Sequence, residues 1–335
     1  MSEERIAAAT ATGLDLSIER FLRPQKFDEF VGQRGVVDNL KVYVEAARSR
    51  GEVLDHILFS GPPGLGKTTL AGIVANEIGV EMRHTTGPAL ERPADLAGIL
   101  TSLSPGSVHF IDEVHRLGRP VEEYLYAAME DFRLDIVIDT GPSARSVRIE
   151  LPRFTLIGST TREGLLASPF RARFGVLEKL DYYPWQDLRA IVLRSSGILS
   201  IAVAADAAEM IAMRARGTPR LANRFLRRLR DFAQVAGKDE IDIETARSGL
   251  ERLGIDDEGL DPMDRRILAC IIQHGGGPVG LKTVAVSVGE EEATIEEVYE
   301  PFLIQKGMLR KTPRGRVATE TAFSHLRAGP DGLFK

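Results

Sequence analysis

Cysteine is almost absent from this chain. Only Cys270 occurs among the 335 residues, which excludes an internal disulfide framework and suits a reducing compartment. It lies in the apolar stretch RRILACII and reads as a small buried hydrophobe. No apolar run approaches the roughly 18 residues that a membrane-spanning helix requires. The opening MSEERIAAATATG carries early acids and no hydrophobic segment, which argues against a secretory leader. The six histidines show no metal-ligand spacing, and there is neither an internal repeat nor a low-complexity tract. These absences lead us to expect a soluble cytoplasmic protein.

What is present is ordinary globular composition, 43% hydrophobic and 27% charged, with a formal net charge of −5. A chain of this length is expected to form two or three domains. Residues 54–160 alternate short apolar runs with helical patterns: LDHILFS before TTLAGIVANEI, SVHFIDE before EEYLYAAMEDF, then FTLIGST. That alternation predicts an α/β fold with a mainly parallel sheet flanked by helices. Within it, RLDIVIDTGPSARSVRIEL (133–151) reads as two strands around a Gly-Pro-Ser turn, a hairpin inserted ahead of FTLIG. The first domain is expected over 1–183. Strand signals then stop, and LANRFLRRLRDFAQVAG places its apolar residues on one helical face, so an all-helical domain is expected over 184–255. The acidic DDEGLDP (256–262) reads as a linker. Three helical patterns and two short strands follow, which fits a winged helix over 256–335.

The stretch GPPGLGKTT (61–69) matches G-x-x-x-x-G-K-[ST] directly after the strand HILFS and before a helical pattern, the context this motif requires. Gly61, Gly64 and Gly66 let the chain curl so that successive N–H groups face a phosphate chain. The start of the following helix, with Thr69 in its first turn, adds partial positive charge. Lys67 is read as the contact to the β- and γ-phosphates and Thr68 as a Mg2+ ligand. In VHFIDEVH (108–115) a buried strand ends in Asp112, placed to orient Mg2+, and Glu113, placed to polarise an attacking water. Two acids after a strand are often only a solvated strand end. Forty-five residues beyond a phosphate loop, they are read as the hydrolytic pair. His109 interrupts the apolar run and reads as a satisfied core histidine rather than a ligand.

Two arginine motifs follow. SPFRARFG (168–175) carries Arg171 and Arg173, and GTPR (217–220) puts Arg220 at a helix start. Guanidinium groups stabilise charge on a transferring phosphoryl group, and one supplied by a neighbouring subunit accelerates hydrolysis by ~10³–10⁵. Near the end of the chain, KGMLRKTPRGRVAT (306–319) holds five basic residues and no acid, whereas EEEATIEEVYE (290–300) holds six glutamates and no base. In many winged helices a helix of the motif enters the major groove. Here its glutamates would face phosphates that repel them. Arg310 and Lys311 on one arm of the hairpin, with Arg314 and Arg316 around its turn, are the better DNA element. Such residues hold the backbone irrespective of sequence.

In this order the phosphate loop, FIDEVHRL, GSTTR, SPFRARFG and GTPR resemble an AAA+ ATPase. The longer strings LRPQKFDEFVGQ, GPALERPADL, AAMEDFRLDIVIDTGPSARSVRIELPRFTLIGSTTR, RGTPRLANRFLRRLRDFA and RKTPRGRVAT closely resemble the RuvB family of bacterial Holliday-junction branch-migration motors, over roughly residues 18–325. The resemblance implies an ATP-driven DNA translocase of recombination and repair. Its parts would be a large ATPase domain, a small helical lid and a winged-helix head, assembled as a hexameric ring around duplex DNA. RuvA would hold the junction and dock on the hairpin 133–151, with RuvC in the larger resolving complex. The residues Ile136, Ile138 and Val147 alternate with polar ones, so one hairpin face could dock an apolar surface or pack on the ATPase core.

By motif position, the resemblance gives Lys67, Thr68, Asp112 and Glu113 the roles above. Thr160 or Thr161 would sense the γ-phosphate, Arg173 would be a finger acting in trans, and Arg220 a second sensor. Leu22, Arg23, Glu130, Asp131, Phe132 and Tyr183 match positions lining the family's nucleotide pocket, which takes ATP and Mg2+. Ala172, where the family usually has an acid, His109 in place of an aliphatic residue, and Lys311 in place of arginine depart from the pattern. Two rival readings share some of these residues. Another AAA+ machine, such as a clamp loader or protein remodeller, would not call for the basic wing. A winged-helix switch that holds ATP without hydrolysing it would need neither Glu113 nor Arg173.

Overall fold

Short apolar runs flanked by helical sequence fold here as buried parallel strands. A computed structural model describes residues 21–137 and 146–328. The readings of the first twenty residues, of Ile138 and of the hairpin turn lie outside the described residues. The chain forms two compact units that divide between Asp187 and Leu188. The first carries β1 (Ile57–Ser60), β2 (Met82–Thr86), β3 (Val108–Asp112), β4 (Arg133–Val137), β5 (Ser146–Glu150), β6 (Thr155–Thr160) and β7 (Val176–Lys179). Five of these make one parallel sheet in the order β2-β3-β6-β1-β7. β1 and β6 are buried along their whole length, as interior strands of a covered parallel sheet are. β2 and β7 escape the sequence reading because MRHTT and VLEK sit at the two sheet edges, where polar residues meet solvent.

Two histidines are built into this sheet. His56 is buried at the start of the β1 region; its Nε2 donates to the Met129 carbonyl at 3.0 Å and its Nδ1 accepts the Leu156 N–H at 2.9 Å. Burial holds its pKa below the ordinary value, so the neutral ring ties the starts of β1 and β6 to the end of the helix Arg119–Asp131. His109, within β3, is fully buried and shares a 2.9 Å hydrogen bond between Nε2 and Thr85 Oγ1. Its Nδ1 has no partner among the described residues, so the expected core histidine is satisfied on one nitrogen only. Burial pulls its pKa down to about 4.

β4 and β5 pair antiparallel, with Leu134 opposite Ile149 and Ile136 opposite Val147. Leu134 is fully buried in the core with Phe154 and Leu125, whereas Val147 is 42% exposed. The apolar face of the hairpin therefore starts in the core and runs out into solvent.

In the second unit the helices Ala205–Arg214, Pro219–Val235 and Ile243–Arg252 follow one another. The stretch expected to be all-helical also contains a two-residue parallel pair, β8 (Ala202–Val203) with β9 (Glu240–Ile241). Beyond it come the helices Pro262–Gln273 and Leu281–Val288. A third, Glu292–Thr294 and Glu300–Gln305, is joined through a π-helical turn at Ile295–Tyr299. The hairpin β10 (Leu309–Thr312) and β11 (Gly315–Ala318) and a closing helix, Glu320–Ala328, complete it. The closing helix is absent from the sequence reading. Cys270 is buried in this core with Ile267, Ile271 and Leu303.

The segment read as a linker is folded. Asp256 Oδ1 accepts the N–H groups of Glu258 and Leu260, and Asp261 caps the helix Pro262–Gln273 reciprocally with Asp264. Arg216 reaches onto this cap: its Nη2 lies 3.0 Å from Asp261 and 2.5 Å from Asp264, and its guanidinium sits 4.6 Å over the Phe302 ring. Acidic composition suggested a linker here, but buried pairing with an arginine 45 residues upstream produces a joint.

Candidate nucleotide site and DNA interface

At the C-terminal end of β1 the chain curls through 61–66 into the helix Lys67–Ile78. Gly61 has φ 130, and a Cβ there would lie 2.3 Å from the Leu180 carbonyl oxygen, so only glycine fits. Gly64 and Gly66 also take positive φ, at 81 and 101. Lys67 is buried, with Nζ donating to the Gly61 and Pro62 carbonyls at 2.7 and 2.8 Å, inside the curl. Thr68 and Thr69 occupy the first helical turn, half-buried. Tyr183 is buried and donates its hydroxyl to the Leu65 carbonyl at 3.0 Å; burial raises its pKa well above the ordinary phenol range. Leu22 is buried and Arg23 half-buried, in a segment that lies along the phosphate-loop helix. Asn76 donates to the Gln25 carbonyl at 3.2 Å, and the Phe27 N–H donates to Glu77 at 3.2 Å.

β3 delivers its two acids beside this loop. Asp112 Oδ1 accepts the Ser159 hydroxyl and, at 3.1 Å, the Glu113 N–H, which leaves Oδ2 for a ligand among the described residues. Glu113 turns into the left-handed region at φ 54, and its Oε2 lies 3.0 Å from Arg116 Nη1. Thr160 ends β6: its carbonyl accepts the Gly61 N–H at 3.2 Å, its Oγ1 accepts the Arg162 N–H at 3.0 Å, and the same oxygen is 3.0 Å from His115 Nδ1. Thr161 follows outside the strand, half-buried. Ser159, His115 and Arg116 were not singled out from sequence, where their only signal is adjacency to a motif. The Thr68 hydroxyl and the Asp112 carboxylate are the hard oxygen donors that suit Mg2+.

Glu130, Asp131, Phe132 and Arg173 are brought together elsewhere. The Phe132 ring lies 6.2 Å from His56 and 5.8 Å from Phe154, at the starts of β1 and β6. Asp131 pairs with Arg133 at 2.9 Å. Arg173 precedes β7, whose first residue, Val176, pairs with the first residue of β1, Ile57. Its Nη2 is 3.1 Å from Glu130 Oε1, its Nη1 donates to the Pro169 carbonyl at 2.6 Å, and its guanidinium sits 4.3 Å over the Tyr126 ring. The phosphate loop leaves the opposite ends of the same strands, roughly 13 Å away at ~3.3 Å per residue. These residues therefore do not join Lys67 in one pocket of this chain. They form a separate cluster, a division that motif order cannot reveal. Arg220 lies in the second unit, exposed at the second residue of the helix Pro219–Val235.

The basic wing is divided too. Lys311 and Arg316 face each other across β10 and β11. Lys311 Nζ pairs with Glu296 and, at 3.7 Å, with Glu300. Arg316 Nε lies 2.6 Å from Glu300 Oε1, with Nη2 3.2 Å from Oε2. The Arg316 side chain is 11% exposed and that of Glu300 only 3%. Of the four residues read as the DNA element, Lys311 and Arg316 are engaged by the acidic helix. Arg310 and Arg314 are exposed and make no ion pair among the described residues. The acidic run and the basic run are thus two sides of one contact, formed because the hairpin folds back over the helix that precedes it.

Comparison with known proteins agrees over nearly the full chain. Three family models match successive stretches: the Holliday junction DNA helicase RuvB P-loop domain at 22–180, the RuvB AAA lid domain at 183–256, and the RuvB C-terminal winged helix domain at 257–327. The Holliday junction branch migration complex subunit RuvB of Myxococcus xanthus is 61% identical over 317 residues, 94% of this chain and 92% of its own length. Its counterpart from Salinibacter ruber is 57% identical over 324 residues, 96% of this chain and 94% of its own length. The solved structure of the Thermotoga maritima RuvB Holliday junction branch migration motor aligns with TM-score 0.84 at 50% identity, covering 92% of this chain and 98% of that one. A phosphate loop, a lid and a winged helix that match in one order and at such identity leave one assignment: the chain belongs to the RuvB family of Holliday junction DNA helicases.

Proposed function

We propose that this chain is an ATP-hydrolysing DNA motor that drives branch migration of Holliday junctions in recombination and repair. The observation that carries the reading is the presence, on one chain, of a complete hydrolytic edge and a winged helix with two exposed arginines. Lys67 and the N–H groups of 64–66 bind the phosphates of ATP. Thr68 and Asp112 would hold Mg2+, which would supply charge neutralisation for the phosphates. Glu113 orients the attacking water and accepts its proton. Thr160 serves as sensor in preference to Thr161, because it is tied to the loop through its carbonyl and to His115 and Arg162 through its hydroxyl. Arg220 is taken as the second sensor, and Leu22, Arg23 and Tyr183 as residues that line the ATP pocket.

Arg173 with Glu130, Asp131 and Phe132 serves the nucleotide of a neighbouring subunit, since the sheet separates them from their own phosphate loop. That requirement makes the working form a ring, which we take to be a hexamer around duplex DNA. The division into an ATPase domain (1–183), a lid (184–255) and a head (256–335) follows the same reading, as does a cytoplasmic location; no helix among the described residues is long and apolar enough to cross a membrane. The outward-running apolar face of the hairpin 133–151 docks RuvA, and RuvC joins the larger complex.

The test is the ATPase rate with and without circular duplex or four-way-junction DNA, together with branch migration in the presence of RuvA. DNA-stimulated hydrolysis and RuvA-dependent migration are expected. ATP binding without turnover, or turnover indifferent to DNA, would overturn the reading. For the wing, Arg310→Ala with Arg314→Ala should weaken duplex binding equally on unrelated sequences. Its salt dependence should become shallower by about one unit of slope for each phosphate no longer held. Lys311→Ala with Arg316→Ala should instead destabilise the winged helix, by leaving the buried Glu300 unpaired.

A further inference from the structure

Arginine is a long, flexible side chain, and a finger that must meet a neighbour's nucleotide loses rate if its guanidinium wanders. Arg173 is closely surrounded in this structure. Its side chain is 20% exposed and is held on three sides, by Pro169, Glu130 and the ring of Tyr126. The 4.3 Å approach to that ring is well inside cation–π range.

Tyr126 is itself fixed. Its hydroxyl donates to Glu122, and its ring lies 5.8 Å from that of Phe170, which in turn meets Phe174 at 5.2 Å. Burial and Glu122 push the phenol up to about 12, so it stays a neutral donor at working pH. Glu122, Tyr126 and Glu130 recur every fourth residue of the helix Arg119–Asp131, which puts all three on one face. On that face Tyr126 and Glu130 hold the guanidinium, and Glu122 anchors the hydroxyl of the ring. None of the motifs contains Tyr126.

We infer that Tyr126 is a positioning residue for Arg173, its ring holding the guanidinium in the orientation that a neighbouring subunit's nucleotide meets. The inference rests on the reading of Arg173 as a finger acting in trans. An ordinary half-buried tyrosine would contribute to folding alone, and the two roles are separable. In the full-length protein with duplex DNA, Tyr126→Leu should lower kcat on the order of 10–100-fold while KM and the affinity for a fluorescent ATP analogue stay unchanged. Tyr126→Phe, which keeps the ring, should recover most of that loss. Mixing Tyr126→Leu with Lys67→Ala subunits should restore hydrolysis, because the latter present an intact finger to an intact phosphate loop. Glu122→Ala unanchors the ring without emptying its place. It should lower kcat in the same direction by a smaller factor, and it serves if Tyr126→Leu does not fold. A wild-type kcat in both Tyr126→Leu and Glu122→Ala, beside an inactive Arg173→Ala, would overturn the positioning role. So would a loss in Tyr126→Leu that Lys67→Ala subunits fail to rescue. A normal rate in Arg173→Ala would overturn the reading of Arg173 itself, and the positioning role with it.

Discussion

At the C-terminal edge of the sheet, the groups that face a nucleotide come from consecutive residues of two motifs, 61–69 and 112–113. At the N-terminal edge, Tyr126, Glu130 and Phe132 come from the end of one helix and Arg173 from the loop after another. The first edge is built largely of backbone: curled N–H groups and a helix start bind phosphate with little help from elsewhere. The second is built of side chains held by other side chains, and it can act only on something brought to it. A strand's length separates them. One edge carries the phosphate loop and its acids, and the other carries a cluster of side chains that lies away from them.

Five substitutions would break or sharpen that contrast. The largest effect is expected at the first edge. Lys67→Ala should abolish nucleotide binding in a filter or fluorescence assay. Glu113→Gln should bind ATP normally and turn over roughly 10²–10⁴-fold more slowly. Near wild-type turnover in Glu113→Gln would move the water-activating role to another residue.

At the second edge, Arg173→Ala should keep ATP affinity and lose about 10³-fold in hydrolysis. Mixing it with Lys67→Ala subunits should recover part of the rate. A complete lack of recovery would mean that Arg173 acts within its own subunit.

Between the edges lies His109, which should affect neither. Its folded pKa, about 4, is below the ordinary histidine value, so the unfolded chain binds the proton more readily. The stability tied to its neutral form is fully present above about pH 6.5 and is lost as pH falls towards 4, on the order of 3 kcal/mol in total. His109→Val should shrink that acid-induced loss in denaturant melts at pH 7 and pH 4, with hydrolysis at pH 7 retained. An unchanged difference between the two pH values would show that the ring already titrates normally.

The smallest effect is expected from Arg116, the 3.0 Å partner of Glu113. Both side chains are substantially solvent-exposed, so the pair is weak. Arg116→Ala should change the DNA-free rate by less than about threefold. A tenfold change would place Arg116 in the hydrolytic set.

Much of the hydrolytic edge was legible without coordinates, for a physical reason. A phosphate loop works through its own backbone, so the residues that make it are neighbours in the chain, and glycine spacing writes the curl directly into sequence. The same holds for Asp112 and Glu113 at the end of an apolar strand. Ser159 and His115 were not legible, because they reach Asp112 and Thr160 only after β6 lies beside β3. The polar edge strands β2 and β7 were missed on similar grounds, since pairing rather than composition makes them strands.

Sequence alone therefore determined the α/β core, the phosphate loop, the paired acids and the existence of a basic hairpin beyond a helical segment, all properties of contiguous residues. Tertiary structure alone decided which charges are free. It committed Lys311 and Arg316 to Glu296 and Glu300, left Arg310 and Arg314 exposed, and turned an acidic linker into a joint around Arg216. It also put Arg173 on the far edge from Lys67. Charge is legible from composition, but its availability depends on which partner the fold carries to within a few ångströms, and that distance is not written locally.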